Sequence, residues 1–358
     1  MELFLAGRYR TAELLGTGGT ASVYRALDEN LGRDVAVKLF APSMGNDDDL
    51  HRQQTETQLL ATLTHPGLVT LHDAGVHPDG TGAFRSFLVM ELIQGPDLRQ
   101  LLAAGGFTTD ETAQLGADIA DALHYVHQHA VIHRDVKPAN ILMASSSQDD
   151  TRLHPLLSDF GIARMMEATA ATVTGTTLGT ANYLSPEQAL AQNVTTASDI
   201  YSLGLVLLEC LTGQKAFPGP TLEAAVARLA RDPEIPDSLG AEWVGLLVAM
   251  TARNPELRPT AHDVAVALRV QAQQPVAPSA GDSGPDLAAS DDDGLPTAAV
   301  AYRAAEQAQT PPAGRHPAPV NGPVIASAGD PFTGPITGGY TTDGIRIPQP
   351  PNRAPSAH

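Results

Sequence analysis

Hydrophobic and polar positions alternate over most of the first ninety or so residues, and the spacing becomes helical after Gly95. Three stretches rich in β-branched residues, separated by Gly and Asp turns, predict successive strands: YRTAELLGTG, TASVYRALDE and RDVAVKLF. FRSFLVMELI predicts at least one further strand, whereas LHRQQTETQLLATL has the spacing of a helix. The first part of the chain is therefore expected to be rich in strands.

The part after Gly95 is predicted to be helical as far as about residue 268. The stretches with helical spacing are LRQLLAAG, TDETAQLGADIADALHYVHQH, IYSLGLVLLECLTG, LEAAVARLA, EWVGLLVAMTA and AHDVAVALRVQAQ. A strand-rich part followed by a helix-rich part predicts two lobes with a cleft between them.

The pattern ends near residue 270, where Pro, Gly, Ala and Ser come to dominate. Of the 28 prolines, 15 lie in the last 88 residues. Such a segment cannot bury enough apolar surface to offset its ordering entropy, so 271–358 is expected to be a disordered tail of partly polyproline character. Its stretches PVAP and PQPPNRAP are either recruitment sites for partner domains or plain linker.

The amino-acid composition argues against several functional classes of protein. A hydrophobic content of 42% in 358 residues supports a sizeable core, and the net charge of −18 argues against nucleic-acid binding and against anionic membranes. Cys210 is the single cysteine, which excludes an intramolecular disulfide and fits a reducing compartment. The N-terminus does not resemble a signal peptide, and DIYSLGLVLLECLTG is shorter than the roughly 18 residues needed for a membrane span. We expect a cytoplasmic, soluble protein.

Candidate chemistry is concentrated in VIHRDVKPANILMA, residues 131–144, where five charged or polar side chains stand between apolar ends. Polar groups at this density are costly to enclose unless each has a partner. The stretch is therefore either a solvated turn between two short strands or a site whose partner is a ligand.

Two further features of the sequence indicate a phosphate-binding site. LGTGGTASV places Gly16, Gly18 and Gly19 in a turn between strands, where backbone amides can approach a phosphate, although an ordinary hairpin can look the same. Lys38 ends the strand VAVK and is one of only three lysines in the chain. A lysine at the end of a strand can simply extend its charged end into water. Because lysine is so rare here, its presence at this position favours a functional role instead. Glu56, on the predicted helix beside buried leucines, is the expected partner of Lys38.

The spacing H-R-D-x-x-x-x-N, followed by SDFG, is the catalytic-loop and magnesium-loop signature of protein kinases. It is formed here by His133, Arg134, Asp135, Asn140 and Asp159. Over about residues 9–268 the chain resembles the bacterial serine/threonine protein kinases of the eukaryotic-like, actinobacterial type. The resemblance implies an α+β, bilobal protein kinase fold with a β-rich N-lobe at 9–93 and a helical C-lobe at 94–270.

The resemblance also implies the reaction, which is transfer of the ATP γ-phosphate to serine or threonine hydroxyls of proteins, in signal transduction. Asp135 would accept the hydroxyl proton and Lys137 would neutralise the developing charge, while Asn140 and Asp159 would hold Mg²⁺ or Mn²⁺. Lys38, paired with Glu56, completes the implied catalytic set.

The other ATP-binding positions are implied by the same resemblance. They are Leu15, Gly16, Gly18, Gly19, Val23, Ala36, Lys38, Met90, Glu91, Ile93, Asp97 and Leu142. Met90 would guard the rear pocket, the backbones of Glu91 and Ile93 would hydrogen-bond adenine, and Asp97 would reach the ribose. Ala21 stands where a third glycine is expected in the loop.

In the C-lobe, the resemblance implies that Glu187 of S-P-E pairs with Arg258 and that Asp199 braces the catalytic loop. His133 and Phe160 would stack with Leu60 in the apolar column of an active kinase. Two rival readings remain: a pseudokinase scaffold, which would have lost key charged residues that are present here, and a small-molecule kinase, which would lack LGTANYLSPEQA.

Activation is expected to come from EATAATVTGTTLGTANYL, a threonine-rich segment without Lys or Arg. An arginine beside the active site, Arg134, is best satisfied by a phosphate. By spacing from Gly179, Thr172 and Thr174 match the activating phosphothreonines of related bacterial kinases, whereas Thr176 and Thr177 lie closer to the substrate. Phosphorylation between two molecules implies a transient homodimer.

Overall fold

The computed structural model describes residues 3–18, 21–42, 62–78, 83–145, 153–159 and 182–273. Strands dominate the described ranges up to Glu91, and helices dominate from Leu98 onward, which confirms the predicted order. The predicted helix around Glu56 and the tail beyond 273 lie outside these ranges. The last helix continues three residues past the expected boundary at 270, to Gln273.

The strands of the first part form one antiparallel sheet. In chain order they are β1 (Phe4–Leu5), β2 (Tyr9–Thr17), β3 (Ala21–Asp28), β4 (Arg33–Phe40), β5 (Leu71–Pro78) and β6 (Phe84–Glu91). Their order in the sheet is β1-β2-β3-β4-β6-β5. The apolar positions of the central strand β4 are almost all buried, and its residues Val35, Val37 and Leu39 pack with Tyr9 and Phe87 into a core on one face.

Strand β5 was not predicted. Its sequence, LHDAGVHP, is half-buried along most of its length and shows no apolar alternation. The strand is held at the edge of the sheet by its pairing with β6 instead. Gly75 permits that pairing, because a side chain there would overlap the ring of Phe87.

The second part is built from helices around a long buried one. The helices are α1 (Leu98–Ala104), α2 (Thr109–Gln128), α3 (Pro186–Ala189), α4 (Thr196–Thr212), α5 (Thr221–Ala230), α6 (Ala241–Met250) and α7 (Ala261–Gln273). Helix α4 is buried on all sides from Ser198 to Cys210 and is capped after Thr212 by Gly213, whose φ of 68° is left-handed. No helix among the described residues is long and apolar enough to cross a bilayer.

A small hairpin connects the two parts. Its strands are β7 (Ile141–Ser145) and β8 (Leu153–Leu157). Residue Leu157 bonds through its backbone to Gly67 and Val69, next to the sheet, at 2.9 and 3.0 Å. The amide of Met143 donates to the carbonyl of Pro96 at 2.9 Å. The ends of the hairpin are thereby fixed beside the chain that leaves the sheet, and polar side chains collect at this point.

Candidate active site

The loop that follows α2 is anchored to α4 by one buried carboxylate. Asp199, in the first turn of α4, accepts the backbone N–H groups of His133 and Arg134 at 2.8 and 2.7 Å. It also contacts Nε2 of His127 at 2.8 Å, and since a carboxylate only accepts, the proton is on that nitrogen. Asp199 is 1% exposed, so three donors compensate its burial. The predicted bracing of the loop is confirmed.

His133 is fully buried and uses both ring nitrogens. Nε2 lies 2.9 Å from the carbonyl oxygen of Ser158, which can only accept, and Nδ1 accepts the amide of Asp135 at 3.3 Å. Burial lowers the pKa of His133, which favours this neutral form. The ring joins the loop to the end of β8.

Two polar side chains of the loop converge on one carboxylate. Lys137 Nζ donates to Asp135 Oδ2 at 2.7 Å, and Asn140 Nδ2 donates to the same oxygen at 3.0 Å and to the Asp135 carbonyl at 2.8 Å. A short 3₁₀ turn, Pro138–Asn140, brings Asn140 back toward Asp135. Asp135, Lys137 and Asn140 therefore have one another as partners.

Asp159 faces this loop from the end of β8. The preceding residue, Ser158, donates its amide to the carbonyl of Asn140 at 2.8 Å. Asp159 has a φ of 61°, a left-handed conformation that is uncommon for a residue other than glycine and is found at functional sites. Its Oδ1 accepts Lys38 Nζ at 2.7 Å, across the junction between sheet and helices. Pairing of Lys38 with Glu56 stays a prediction, because Glu56 lies outside the described residues.

Strand register places the expected nucleotide-contacting residues on one face of the sheet. Val23 is opposite both Gly16 and Lys38, and Ala36 is opposite Met90. Directly opposed residues share a face, and so do residues two apart on one strand. These five residues therefore lie on the face opposite the Val35–Val37–Leu39 core.

The segment that begins at the end of β6 contains further residues that are expected to contact ATP. Glu91 donates its amide to the Thr70 carbonyl at 3.0 Å, and its side-chain Oε1 accepts the Thr70 amide at 2.7 Å, so its contact with adenine stays a prediction. Asp97 caps α1 by accepting the amide of Gln100 at 2.8 Å and pairs with Arg99 at 3.0 Å. Contacts of Asp97 with ribose and of Ile93 with adenine stay predictions.

Leu15 is 47% exposed near the end of β2, and Gly18 closes the turn after it by donating its amide to the carbonyl of Ala21 at 2.8 Å. Leu142 is half-buried on β7, where its backbone forms a bridge with Asp97. Several other predicted residues lie outside the described ranges: Gly19, Glu56, Leu60, Phe160, Thr172, Thr174, Thr176 and Thr177.

Gly95 is a site residue that the sequence pattern did not single out. A Cβ built on Gly95 would overlap the carbonyl oxygen of Met143 on β7. That oxygen belongs to the backbone and cannot rotate away. The glycine is what allows the chain after β6 to lie directly against β7, beside Asp97 and Leu142.

A Gly95→Ala protein should accordingly be less stable by about 2 kcal/mol, the usual cost of overpacking a tight contact. Urea denaturation measures the change. Gly106→Ala is the matched control, because a Cβ there meets nothing within 4 Å. Equal unfolding midpoints for the two variants would contradict the close-contact explanation.

Below the site, Glu187 and Arg258 form the predicted ion pair. Arg258 donates to both carboxylate oxygens of Glu187, at 2.7 and 2.9 Å, and Ser198 Oγ donates to Oε1 at 2.6 Å. Burial alone would raise the pKa of Glu187, but the hydrogen bonds from Arg258 and Ser198 lower it to about 2. The pair fixes the start of α3 against α4 and the segment before α7.

The comparisons with known proteins agree with this geometry. The family described as "Protein kinase domain" matches residues 9–267. Serine/threonine-protein kinase PknB of Mycobacterium leprae (strain TN) is 37% identical over 281 residues, which are 76% of this chain and 44% of that protein. PknB of Mycobacterium tuberculosis (strain ATCC 25618 / H37Rv) is 38% identical over 263 residues, 71% of this chain and 41% of that protein.

PknA of Mycobacterium tuberculosis (strain ATCC 25177 / H37Ra) is 35% identical over 258 residues, again 71% of this chain and 58% of that protein. The chain thus spans between about two fifths and three fifths of the length of these relatives. The matched residues contain both the sheet and the helices that build the site. These relatives are bacterial serine/threonine-protein kinases, and the chain itself belongs to the protein kinase family.

Proposed function

We propose that this protein transfers the γ-phosphate of ATP to serine and threonine hydroxyls of other proteins. The observation that supports this most directly is the meeting of two lysine–carboxylate pairs where the sheet joins the helices. Lys38 contacts Asp159 at 2.7 Å, and Lys137 contacts Asp135 at 2.7 Å. A site for phosphate transfer needs cations and carboxylates in this kind of proximity, because positioning and charge stabilisation supply most of the catalysis.

Asp135 is the residue to accept the proton of the attacking hydroxyl. Its Oδ2 is oriented by Lys137 and Asn140, which both donate to it, and an oriented carboxylate oxygen can receive that proton. Lys137 then lies next to the charge that develops on the transferred group. Lys38, on the nucleotide-facing side of the sheet, is placed to hold the phosphates of ATP.

A divalent ion such as Mg²⁺ or Mn²⁺ fits the side chains of Asn140 and Asp159. They offer amide and carboxylate oxygens, which hard cations prefer, and the Asn140 amide nitrogen is already directed at Asp135. The ion supplies positive charge against the phosphates. The protein holds the two ligands together through the bond from the Ser158 amide to the Asn140 carbonyl.

Radiolabel transfer from ATP to a generic protein acceptor, followed by phosphoamino-acid analysis, tests this function. We expect label on serine and threonine and a requirement for Mg²⁺ or Mn²⁺. Nucleotide binding without any transfer would identify a pseudokinase, and label confined to a small molecule would identify a small-molecule kinase. Predominant phosphotyrosine would refute the acceptor class.

The active protein is also expected to carry phosphate on Thr172 and Thr174, placed by a second copy in a transient homodimer. The double Thr172→Ala, Thr174→Ala variant should lose most of its activity, because no phosphate is then available to Arg134. Mass spectrometry of wild-type and Asp159→Asn protein measures the modification. An unmodified segment in fully active enzyme would rule this activation out.

A further inference from the structure

Gln188 occupies the third position of the short helix α3 and is 9% exposed. Ser185 is the N-cap of this helix, and its hydroxyl accepts the Gln188 amide at 3.3 Å. In return, the Gln188 side-chain oxygen accepts the Ser185 amide at 2.9 Å and its hydroxyl at 3.2 Å. These bonds form a capping box, which accounts for the oxygen of the carboxamide.

The nitrogen of the same carboxamide serves a different element. Nε2 of Gln188 donates to the backbone carbonyl of Arg134 at 2.8 Å, across 54 positions of sequence. The peptide group that carries this carbonyl leads directly into Asp135. One buried side chain therefore joins the S-P-E segment to the residue immediately before the catalytic carboxylate.

The Arg134 backbone needs such support. Its φ of 67° is left-handed, which costs free energy for a residue with a Cβ. The amide of Arg134 donates to Asp199 Oδ1 at 2.7 Å, and its carbonyl accepts from Gln188, so both sides of the residue are fixed. Without the bond from Gln188, the peptide before Asp135 is held on its N–H side only, by the 3.3 Å bond to His133 Nδ1.

The S-P-E segment is itself anchored to the helices beneath it. Ser202 Oγ of α4 donates to the Tyr183 carbonyl at 2.7 Å, and buried Arg228 of α5 donates to the Leu184 carbonyl. Tyr183 and Leu184, which lead into the S-P-E segment, are thus tied to α4 and α5, and Gln188 extends this anchoring to the catalytic loop.

We propose that Gln188 is a positioning residue, which holds the Arg134–Asp135 peptide in register with the segment expected to carry the protein substrate. The proposal rests on the proposed kinase function. It assigns to Gln188 a role that goes beyond capping a helix.

Two other capping boxes among the described residues, those of α1 and α2, separate these two roles. In α1 the box residue is Gln100, and in α2 it is Glu111; the side-chain oxygen of each accepts the amide of its N-cap residue at 2.9 Å. Glutamine and glutamate serve equally well there. At position 188 only glutamine offers a donor to the Arg134 carbonyl, so the amide is required by the loop and not by the cap.

Gln188→Glu is therefore the decisive change, because it preserves shape and cap and removes the donor. A carboxylate would then face the carbonyl oxygen of Arg134. We expect kcat for a peptide acceptor to fall about tenfold or more, with KM for ATP within about twofold of wild type, since small displacements of a catalytic group are costly. Thermal unfolding of each variant is measured alongside.

Glu111→Gln is the matched control, an acid–amide exchange in a capping box away from the site, and it should leave kcat unchanged. Gln188→Met, which also lacks the donor, should reproduce the fall in kcat and carries the test if the glutamate variant does not fold. Wild-type kcat in a folded Gln188→Glu or Gln188→Met protein would overturn the proposal. Absence of transfer by the wild type would instead refute the kinase function.

Discussion

An Asp159→Asn protein is expected to lose phosphate transfer by about a thousandfold while keeping its fold. The neutral amide weakens the hold on a divalent ion and removes the negative partner of Lys38 from the site. Stability should change little, because the Lys38–Asp159 pair is partly exposed, and such pairs contribute at most about 1 kcal/mol. The measurements are initial rates of label transfer and thermal unfolding.

Asp34→Asn provides the control for this experiment. Asp34 pairs with Arg25 at 2.6 Å on the exposed surface of β3 and β4, so the same exchange is made in an ion pair away from the site. Its activity should equal that of the wild type. Lys38→Met should be nearly inactive, and combining it with Asp159→Asn should add little, because both residues act on the same phosphates. Undiminished transfer by Asp159→Asn would show that the site has been assigned wrongly.

The largest effect on stability is expected from Glu187→Gln, which should cost about 3–5 kcal/mol. Arg258 has a fully buried side chain and would be left as a cation without its carboxylate. Its remaining bonds to the carbonyls of Ala197, Ala252 and Arg253 hold it in place, so it cannot turn to water. Chemical denaturation measures the loss. Glu29→Gln, in the exposed pair with Arg10, should cost less than about 1 kcal/mol.

The lowered pKa of Glu187 predicts that the folded protein loses stability in acid. Glu187 has its pKa lowered from 4.5 to about 2, so its contribution is fully present above pH 4.5 and is lost as the pH falls toward 2. The shift corresponds to about 3 kcal/mol. Between pH 5 and 2.5 the wild type should lose more stability than Glu187→Gln. Parallel curves for the two proteins would mean that Glu187 has an ordinary pKa in the folded state.

The sequence predicted the parts of this molecule that depend on local pattern. Strand β4 was found because Val35, Val37 and Leu39 alternate with polar or small residues. The catalytic loop was found because His133, Asp135 and Asn140 stand at the spacing of the protein-kinase signature, and a short turn brings Asn140 back to Asp135. Burial patterns and short turns of this kind depend on residues that are close together in the sequence, so the sequence alone predicts them.

The parts that were missed depend on contacts between distant segments. Gly95 is needed only because the backbone at Met143 approaches it, and the amide of Gln188 is needed only because of the Arg134 carbonyl. Neither requirement leaves a periodicity in the sequence around the residue itself. The contact between Lys38 and Asp159 was likewise not predicted, since it joins the sheet to the end of the hairpin.

The two lysine–carboxylate pairs also allow the site to be labelled selectively at its lysine amines. The chain contains three lysines against nineteen arginines, and Lys38 and Lys137 are two of the three. Lys215 is exposed just after the C-terminal end of α4, whereas the two site lysines are 13% and 19% exposed and held by carboxylates. Two of the three lysine side chains that an amine-acylating reagent can modify therefore lie within the proposed active site. Peptide mapping after such labelling would report nucleotide occupancy directly, with Lys215 as an internal reference.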